Sequence, residues 1–202
     1  AAEHASPQIA ALGYYAAAEI DLFTGALDRA ESNAERAYEC ATRSMDERGS
    51  PGIAFFAAID AAYAYGWRGR LAEASHWADL AQNLAQSLDS TSAQAWVHLV
   101  RSEMLEHNSP TRSLVHIRRC SDLVEPSEQV FLARVIDSAR LAIEDRARRR
   151  QIDRDAVLME LTHPKDLSWY AMTSVLHFAA ALLVQDGHAT EAAIIVAATV
   201  AS

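Results

Sequence analysis

The sequence predicts an all-α fold, a solenoid of about five helical hairpins, and three observations lead to this prediction. Long apolar segments alternate with short breaks and second, shorter apolar segments along the 202 residues. Three of the breaks repeat one signature, which begins at Gly25, Gly69 and Gly187. Alanine is abundant while glycine and proline number 7 and 5, a composition that favours closely packed helices.

The repeated signature is a glycine followed five residues later by a small residue, with further small residues at one-turn spacing. These are Ala30, Ala34 and Ala37 in the first copy and Ala74, Ala78 and Ala81 in the second. Gly25 and Gly69 are 44 residues apart and Gly187 lies 118 residues further on, which leaves room for two weaker units. Recurrence at this length is typical of helical repeat arrays, which present surfaces more often than they catalyse reactions.

The first two pairs follow the clear signatures. Ser6-Pro7 marks the start of the first helix, because proline is favoured in a first helical turn, and Gly25 ends it after about residue 23. Its partner covers about residues 27–45 and is followed by a predicted loop at 48–52. The second pair covers about 53–65 and 71–88.

The remaining pairs have weaker boundaries. An N-cap cluster at 90–92 starts the third pair, which runs to about 107, breaks at 108–110 and resumes to 124. The fourth starts near Ser127, runs to an arginine cluster and is followed by a shorter helix at about 153–161. The fifth covers about 167–185 and 190–201. No low-complexity linker divides the chain, so residues 1–202 are predicted to form one domain.

Charge and hydropathy narrow the classes of partner. The net charge of −9 and pI of about 5.3 argue against direct nucleic-acid binding. The one basic patch is interpreted as a solvated helix end, the alternative being a dock for an acidic partner or for nucleic acid; it comprises Arg146, Arg148, Arg149, Arg150 and Arg154. No apolar run reaches the roughly 18 residues of a membrane span. Two distant cysteines, Cys40 and Cys120, favour reduced thiols in a cytoplasmic protein.

The turn signature resembles that of tetratricopeptide repeats. Gly69, Leu71, Ala74, Ala78 and Ala81 occupy the family's turn and second-helix positions, and Ala61, Ala62 and Tyr65 its small, small and aromatic positions before the turn. In the first unit Asp21 falls at the aromatic position. The resemblance implies a right-handed superhelix of helical hairpins, although a spacing of about 40 residues exceeds the family's 34.

The last unit, Leu182 to Ala193, is similar to the final repeats of LuxR-type and antibiotic-regulatory-type bacterial signalling ATPases. In those regulators a nucleotide-binding module and a DNA-binding domain lie elsewhere in the chain. The resemblance therefore implies a non-catalytic module of a bacterial transcriptional regulator, which binds a protein, a peptide or a small-molecule effector. The alternatives are a stand-alone scaffold or oligomerisation module, and an enzyme with a site between helices.

Sequence motifs for catalysis and cofactor binding are absent. The chain has neither a phosphate-binding glycine loop nor a Gly-x-Ser-x-Gly elbow, and its eight histidines are scattered. We therefore expect no catalytic residues, no metal and no cofactor. Glu103 and Glu106, three residues apart, are interpreted as a solvated acidic face.

Aromatic residues in or just after the predicted first helices are the candidate partner-binding residues. In a repeat array these helices line the concave face, where aromatic side chains anchor ligands. The candidates, together with one histidine, are Phe56, Tyr63, Trp67, Trp169, Tyr170 and His177. The competing interpretation places these rings in the core between repeats.

The last predicted helix is apolar around most of its circumference and ends the sequence without a polar cap. We expect its residues Ile194, Val196 and Val200 to contact another copy of the chain or another domain. The same feature predicts that residues 1–202 are a fragment of a longer polypeptide or that a partner covers their end.

Overall fold

A computed structural model describes residues 6–43, 50–106, 108–124, 132–133, 135–137, 139–140, 143, 176, 179–180, 183–184 and 186–201, with the backbone alone for 199–201. All regular elements in these residues are α-helices, and no strand occurs among them. In chain order the helices are α1 Pro7–Phe23, α2 Leu27–Arg43, α3 Pro51–Trp67, α4 Leu71–Ser87, α5 Thr91–Leu105, α6 Pro110–Val124 and α7 Ala189–Ala201. The predicted all-α class is confirmed.

Helix boundaries match the sequence-based ones except at α3. The sequence placed Pro51 in a loop, whereas α3 begins there, because the missing N–H of proline costs nothing in a first helical turn. The Ser6 hydroxyl accepts a hydrogen bond from Ile9 N (3.4 Å), and Ser90 Oγ accepts one from Ala93 N (3.2 Å). These two caps explain why α1 and α5 begin where the serine signals predicted.

Two compact units divide the chain, Ala1–Met104 and Leu105–Ser202. In the first unit α1 packs on α2, α2 on α3, α3 on α4, and α1 also contacts α3. Consecutive helices therefore pack on one another, and neighbouring first helices meet directly. Among the described residues of the second unit, the buried apolar ones are Ile117, Cys120, Val124, Leu132, Val135, Ile136, Ile143, Ala180 and Ala192.

Helix α3 forms the centre of the first unit. It is apolar around its whole circumference, and every residue from Ala57 to Tyr65 is buried. The second helices contribute alanine stripes to its surroundings, which comprise Ala30, Ala34, Ala37 and Ala41 on α2 and Ala74, Ala78, Ala81 and Ala85 on α4. Small side chains at these positions allow the helix axes to approach closely.

The three signature glycines adopt the same left-handed turn, with φ of 75° at Gly25, 77° at Gly69 and 87° at Gly187. After each glycine the next N–H closes the helix onto a carbonyl five residues earlier, as from Arg70 N to Tyr65 O (2.9 Å). The shared geometry explains why the sequence repeats glycine here, since a side chain at this φ is strained.

Charged side chains attach the α3–α4 turn to α2. The guanidinium of Arg68 lies 2.8 Å from Glu31, that of Arg70 lies 3.4 Å from the same carboxylate, and Arg70 also covers the ring of Tyr65 at 4.5 Å. The hydroxyl of Tyr65 donates to Glu35, and burial together with this hydrogen bond raises the pKa of Tyr65 to about 12. In the first helical repeat Asp21 occupies the position at which the family has an aromatic residue, and it accepts hydrogen bonds from Arg29 and Asn33 of α2.

Candidate functional site: an aromatic and acidic face

Three aromatic rings from three first helices form a continuous row in the first unit. Tyr15 of α1 and Phe56 of α3 lie 6.2 Å apart between ring centroids, and Phe56 and Trp96 of α5 lie 6.5 Å apart. Phe56 is 37% exposed, while Tyr15 and Trp96 are half-buried. We call Tyr15, Phe56 and Trp96 the aromatic row. Part of each ring is therefore accessible to a ligand, and aromatic rings supply large contact areas with a polarised π system.

Two carboxyl groups lie one helical turn beyond this row. Glu19 follows Tyr15 by four residues and Asp60 follows Phe56 by four, so each acid is on the same side of its helix as a ring. The hydroxyl of Tyr15 donates a hydrogen bond to Glu19 Oε1 at 2.9 Å. We call Glu19 and Asp60 the acid pair.

Burial determines the electrostatics of the acid pair, because the Asp60 carboxyl is removed from water. Asp60 is 3% exposed, and its Oδ2 has no hydrogen-bond donor among the described residues. Burial, and then the neighbouring charge of Glu19, raises the pKa of the Asp60 carboxyl well above its usual range. Burial and the same two carboxylates also raise the pKa of the Tyr15 hydroxyl.

The sequence-predicted residues of α3 lie close to this face but have different surroundings. Phe56 is the middle ring of the aromatic row. Tyr63 is buried and joins the core, while Trp67, 47% exposed, packs its ring 5.3 Å from that of Tyr63. Trp67 therefore presents a second aromatic surface about three turns along the helix from Phe56. Trp169, Tyr170 and His177 lie outside the described residues.

Exposed apolar side chains are found on α7, as expected, and also on α1. Ile194 is 65% exposed and Val196 is also exposed, while Val200 lies within α7 but its side chain is outside the description. On α1 the exposed apolar side chains follow one stripe at helical spacing, which comprises Ile9, Leu12, Ile20 and Phe23. No prediction about the exposure of this stripe on α1 was made from the sequence.

Sequence reasoning also missed Glu19 and Asp60. A signal was present, since Asp60 is the only charged residue among the 17 of α3. Tyr14, the neighbour of Tyr15 in the sequence, faces α2 instead, where the guanidinium of Arg36 lies 5.7 Å from its ring centroid. A carboxylate within an otherwise apolar helix would have been the better guide to the site.

A cavity of about 330 Å³ occurs in the second unit. Its lining comprises Ser121, Val124, Ala133, Ile136, Asp137 and Arg140. Asp137 and Arg140 pair with each other at 3.2 Å, and Ser121 Oγ donates to the Ile117 carbonyl. Because these polar groups are already bonded, the cavity offers a ligand weaker recognition than the aromatic and acidic face.

No protein-family model, curated protein or solved structure matches the chain. Within the described residues no three His, Cys, Asp or Glu side chains converge as a metal site would require. None of the described helices combines the length and the hydropathy of a membrane-crossing segment.

Proposed function

We propose that the chain is a non-catalytic binding module whose aromatic row holds an extended protein or peptide segment. The observation that carries the proposal is the alignment of three partly exposed rings from three successive first helices, 6.2 Å and 6.5 Å apart. Aromatic anchors in a shared surface dominate binding energy in many interfaces. A small-molecule effector could bind the same face instead, and the comparison of a free amine with a peptide in the next subsection distinguishes the two.

An enzyme with a site between helices is less consistent with this arrangement. General acid–base catalysis requires an acid and a base within reach of a substrate atom. The described ionisable groups that interact with Asp60 include Glu19, a second acid, and Tyr15, the phenol hydrogen-bonded to Glu19. This set favours recognition of a ligand over proton transfer.

We further propose that the module belongs to a cytoplasmic bacterial transcriptional regulator, in which binding shifts the helical array relative to catalytic or DNA-binding domains. The resemblance of its last unit to regulators of this class supports the proposal. Sequencing of the coding region around these 202 residues tests it. A continuous reading frame for an ATPase or DNA-binding domain is expected, whereas a short isolated gene would favour the stand-alone scaffold.

The binding proposal is tested with Phe56→Ala and Trp96→Ala against a blocked-peptide library. Both substitutions remove a partly exposed ring, and each should weaken the affinity of the chain for the peptides selected from the library by about tenfold or more. His76→Ala on α4 is the matched control, because it removes an exposed ring from a second helix. Peptide binding that survives both substitutions would contradict the assignment of the site.

A further inference from the structure

The starting point is the buried, unpartnered Oδ2 of Asp60. A carboxylate oxygen that has lost its water and gained no donor costs free energy, and such atoms in native proteins often indicate an absent ion or ligand. The hydroxyl proton of Tyr15, a group that interacts electrostatically with Asp60, is given to Glu19. Asp60 therefore lies ready to accept a hydrogen bond that the described residues do not supply.

We propose that the acid pair, together with the aromatic row, binds the cationic side chain of an arginine or lysine carried by the extended segment. This inference rests on the proposed function of the same face. Glu19 supplies negative charge, a cation bound beside Asp60 favours ionisation of that carboxyl as well, and the rings supply π faces that attract cations. The net charge of −9 attracts a basic segment from a distance.

An organic cation fits the site better than a metal ion. Ca²⁺ requires six to eight oxygen ligands, whereas only two carboxyl groups meet here and no third His, Cys, Asp or Glu joins them within the described part of the chain. A guanidinium instead needs a few acceptors and flat apolar neighbours, which Asp60 Oδ2, Glu19 and the rings provide. Arginine is therefore expected to bind more tightly than lysine.

The dimensions of the row favour a peptide as the source of the cation. The two ring separations, 6.2 Å and 6.5 Å, together give about 13 Å, the length of about four residues of extended chain. A free amine would cover only one of the three rings. The acid pair lies beside two of the rings, so one basic side chain can reach it while neighbouring apolar side chains contact the row.

The experiment uses the full 202-residue chain and a library of N-acetylated, C-amidated hexapeptides. One fixed position carries arginine, lysine, citrulline or glutamine, and citrulline is the matched neutral analogue of arginine. Retained peptides are identified by mass spectrometry, and the best arginine peptide and its citrulline counterpart are titrated by calorimetry. The variants are Asp60→Asn and Glu19→Gln, and the control Glu39→Gln removes an equal charge from the exposed Glu39–Arg43 pair of α2.

The arginine peptide should bind about tenfold or more tightly than its citrulline counterpart. This preference should fall to about threefold or less in Asp60→Asn and Glu19→Gln, and persist in Glu39→Gln. If Asp60→Asn fails to fold, Glu19→Gln decides. Equal binding of the two peptides, or a preference that persists in both acid-pair variants, would overturn the inference and leave the proposed function in place.

Two further outcomes separate the site from the ligand. Free agmatine carries the guanidinium without a peptide and should bind at least about tenfold more weakly, because it leaves most of the row uncovered. Equal affinity would show that the occupant is a small amine and overturn the peptide. If the selected peptides bind Phe56→Ala and Trp96→Ala as tightly as the parent, the proposed function is overturned, and the inference with it.

Discussion

At the residue scale, Asp60 places a buried carboxyl group on a helix that carries no other charged residue. Asp60→Asn keeps the shape, removes repulsion with Glu19 and adds an N–H donor. We expect the free energy of unfolding to rise by roughly 1–3 kcal/mol at pH 8. Denaturant unfolding of the two proteins measures the difference. A less stable variant would show that the Asp60 carboxylate contributes favourably to the unliganded fold.

The pH dependence of this difference follows from the direction of the pKa shift. The Asp60 pKa is raised on folding above its ordinary 3.8, so the folded state binds the proton more tightly than the unfolded state. Stability of the parent therefore falls as pH rises from about 4 through the folded pKa, a loss that the Asn variant lacks. The stability difference should be small near pH 4 and increase with pH. Glu19 and Tyr15 are present in both proteins, so the difference reports the titration of Asp60 together with its influence on these two groups.

The turn glycines give a residue-scale prediction with an internal control. Gly69→Ala should destabilise the fold by about 1–2 kcal/mol, since the residue has φ of 77° although its surroundings have space for a methyl group. Gly13→Ala, within α1 and equally uncrowded, should be stabilising by about 0.5–1 kcal/mol. Thermal unfolding of the parent, Gly69→Ala and Gly13→Ala measures the two changes in stability. Equal effects would mean that the left-handed conformation is not what selects glycine at the turn.

The sequence predicted these turns but not the acid pair, and the reason is geometric. A left-handed turn requires glycine, so it leaves a mark that recurs along the chain. Tyr15 lies ten residues before Gly25, whereas Phe56 lies thirteen before Gly69. Alignment of the units on their glycines therefore separates the two rings by nearly one helical turn. Only the packing of α1 on α3 brings them together with their acids.

At the element scale, the second helices pack through alanine because larger residues would separate the helix axes. Ala78 on α4 is fully buried, and Ala78→Leu should cost about 1–3 kcal/mol of stability through overpacking. Ala72→Leu, on the exposed side of the same helix, is the control and should change stability by less than about 0.5 kcal/mol. Similar losses in both variants would indicate that α4 is not fixed by its alanine stripe.

The alanine stripes were predictable because small residues at one-turn spacing appear directly in the sequence. The same periodicity predicts an apolar stripe on α1 but does not say whether a neighbouring helix covers it. Ile20 belongs to that stripe and is 64% exposed. In a repeat array each internal helix is covered by the next unit, so burial depends on position in the array as well as on pattern.

At the scale of the whole molecule, α1 and α7 each leave apolar side chains in water. Ile20 on α1 and Ile194 on α7 are 64% and 65% exposed, and each forfeits roughly 1.5–3 kcal/mol of burial. Contiguous apolar surface of this kind usually marks an interface. We therefore expect the chain to self-associate. Ile20→Glu places a charge on the α1 surface and Ile194→Glu places one on the α7 surface, so the two variants show which surface forms the contact.

The pattern of the two variants reveals which helices form the contact. In a two-fold contact between α7 helices, Ile194→Glu alone reduces association, whereas a contact of α1 with α7 of another copy, two-fold or heterologous, fails in both variants. Val115→Glu is the control, because Val115 on α6 is 57% exposed but has Thr111, Arg112, Arg118 and Arg119 at the adjacent helical positions. Sedimentation equilibrium of the four proteins gives the answer. A strictly monomeric parent, or equal losses in all three variants, would contradict an interface built on these side chains.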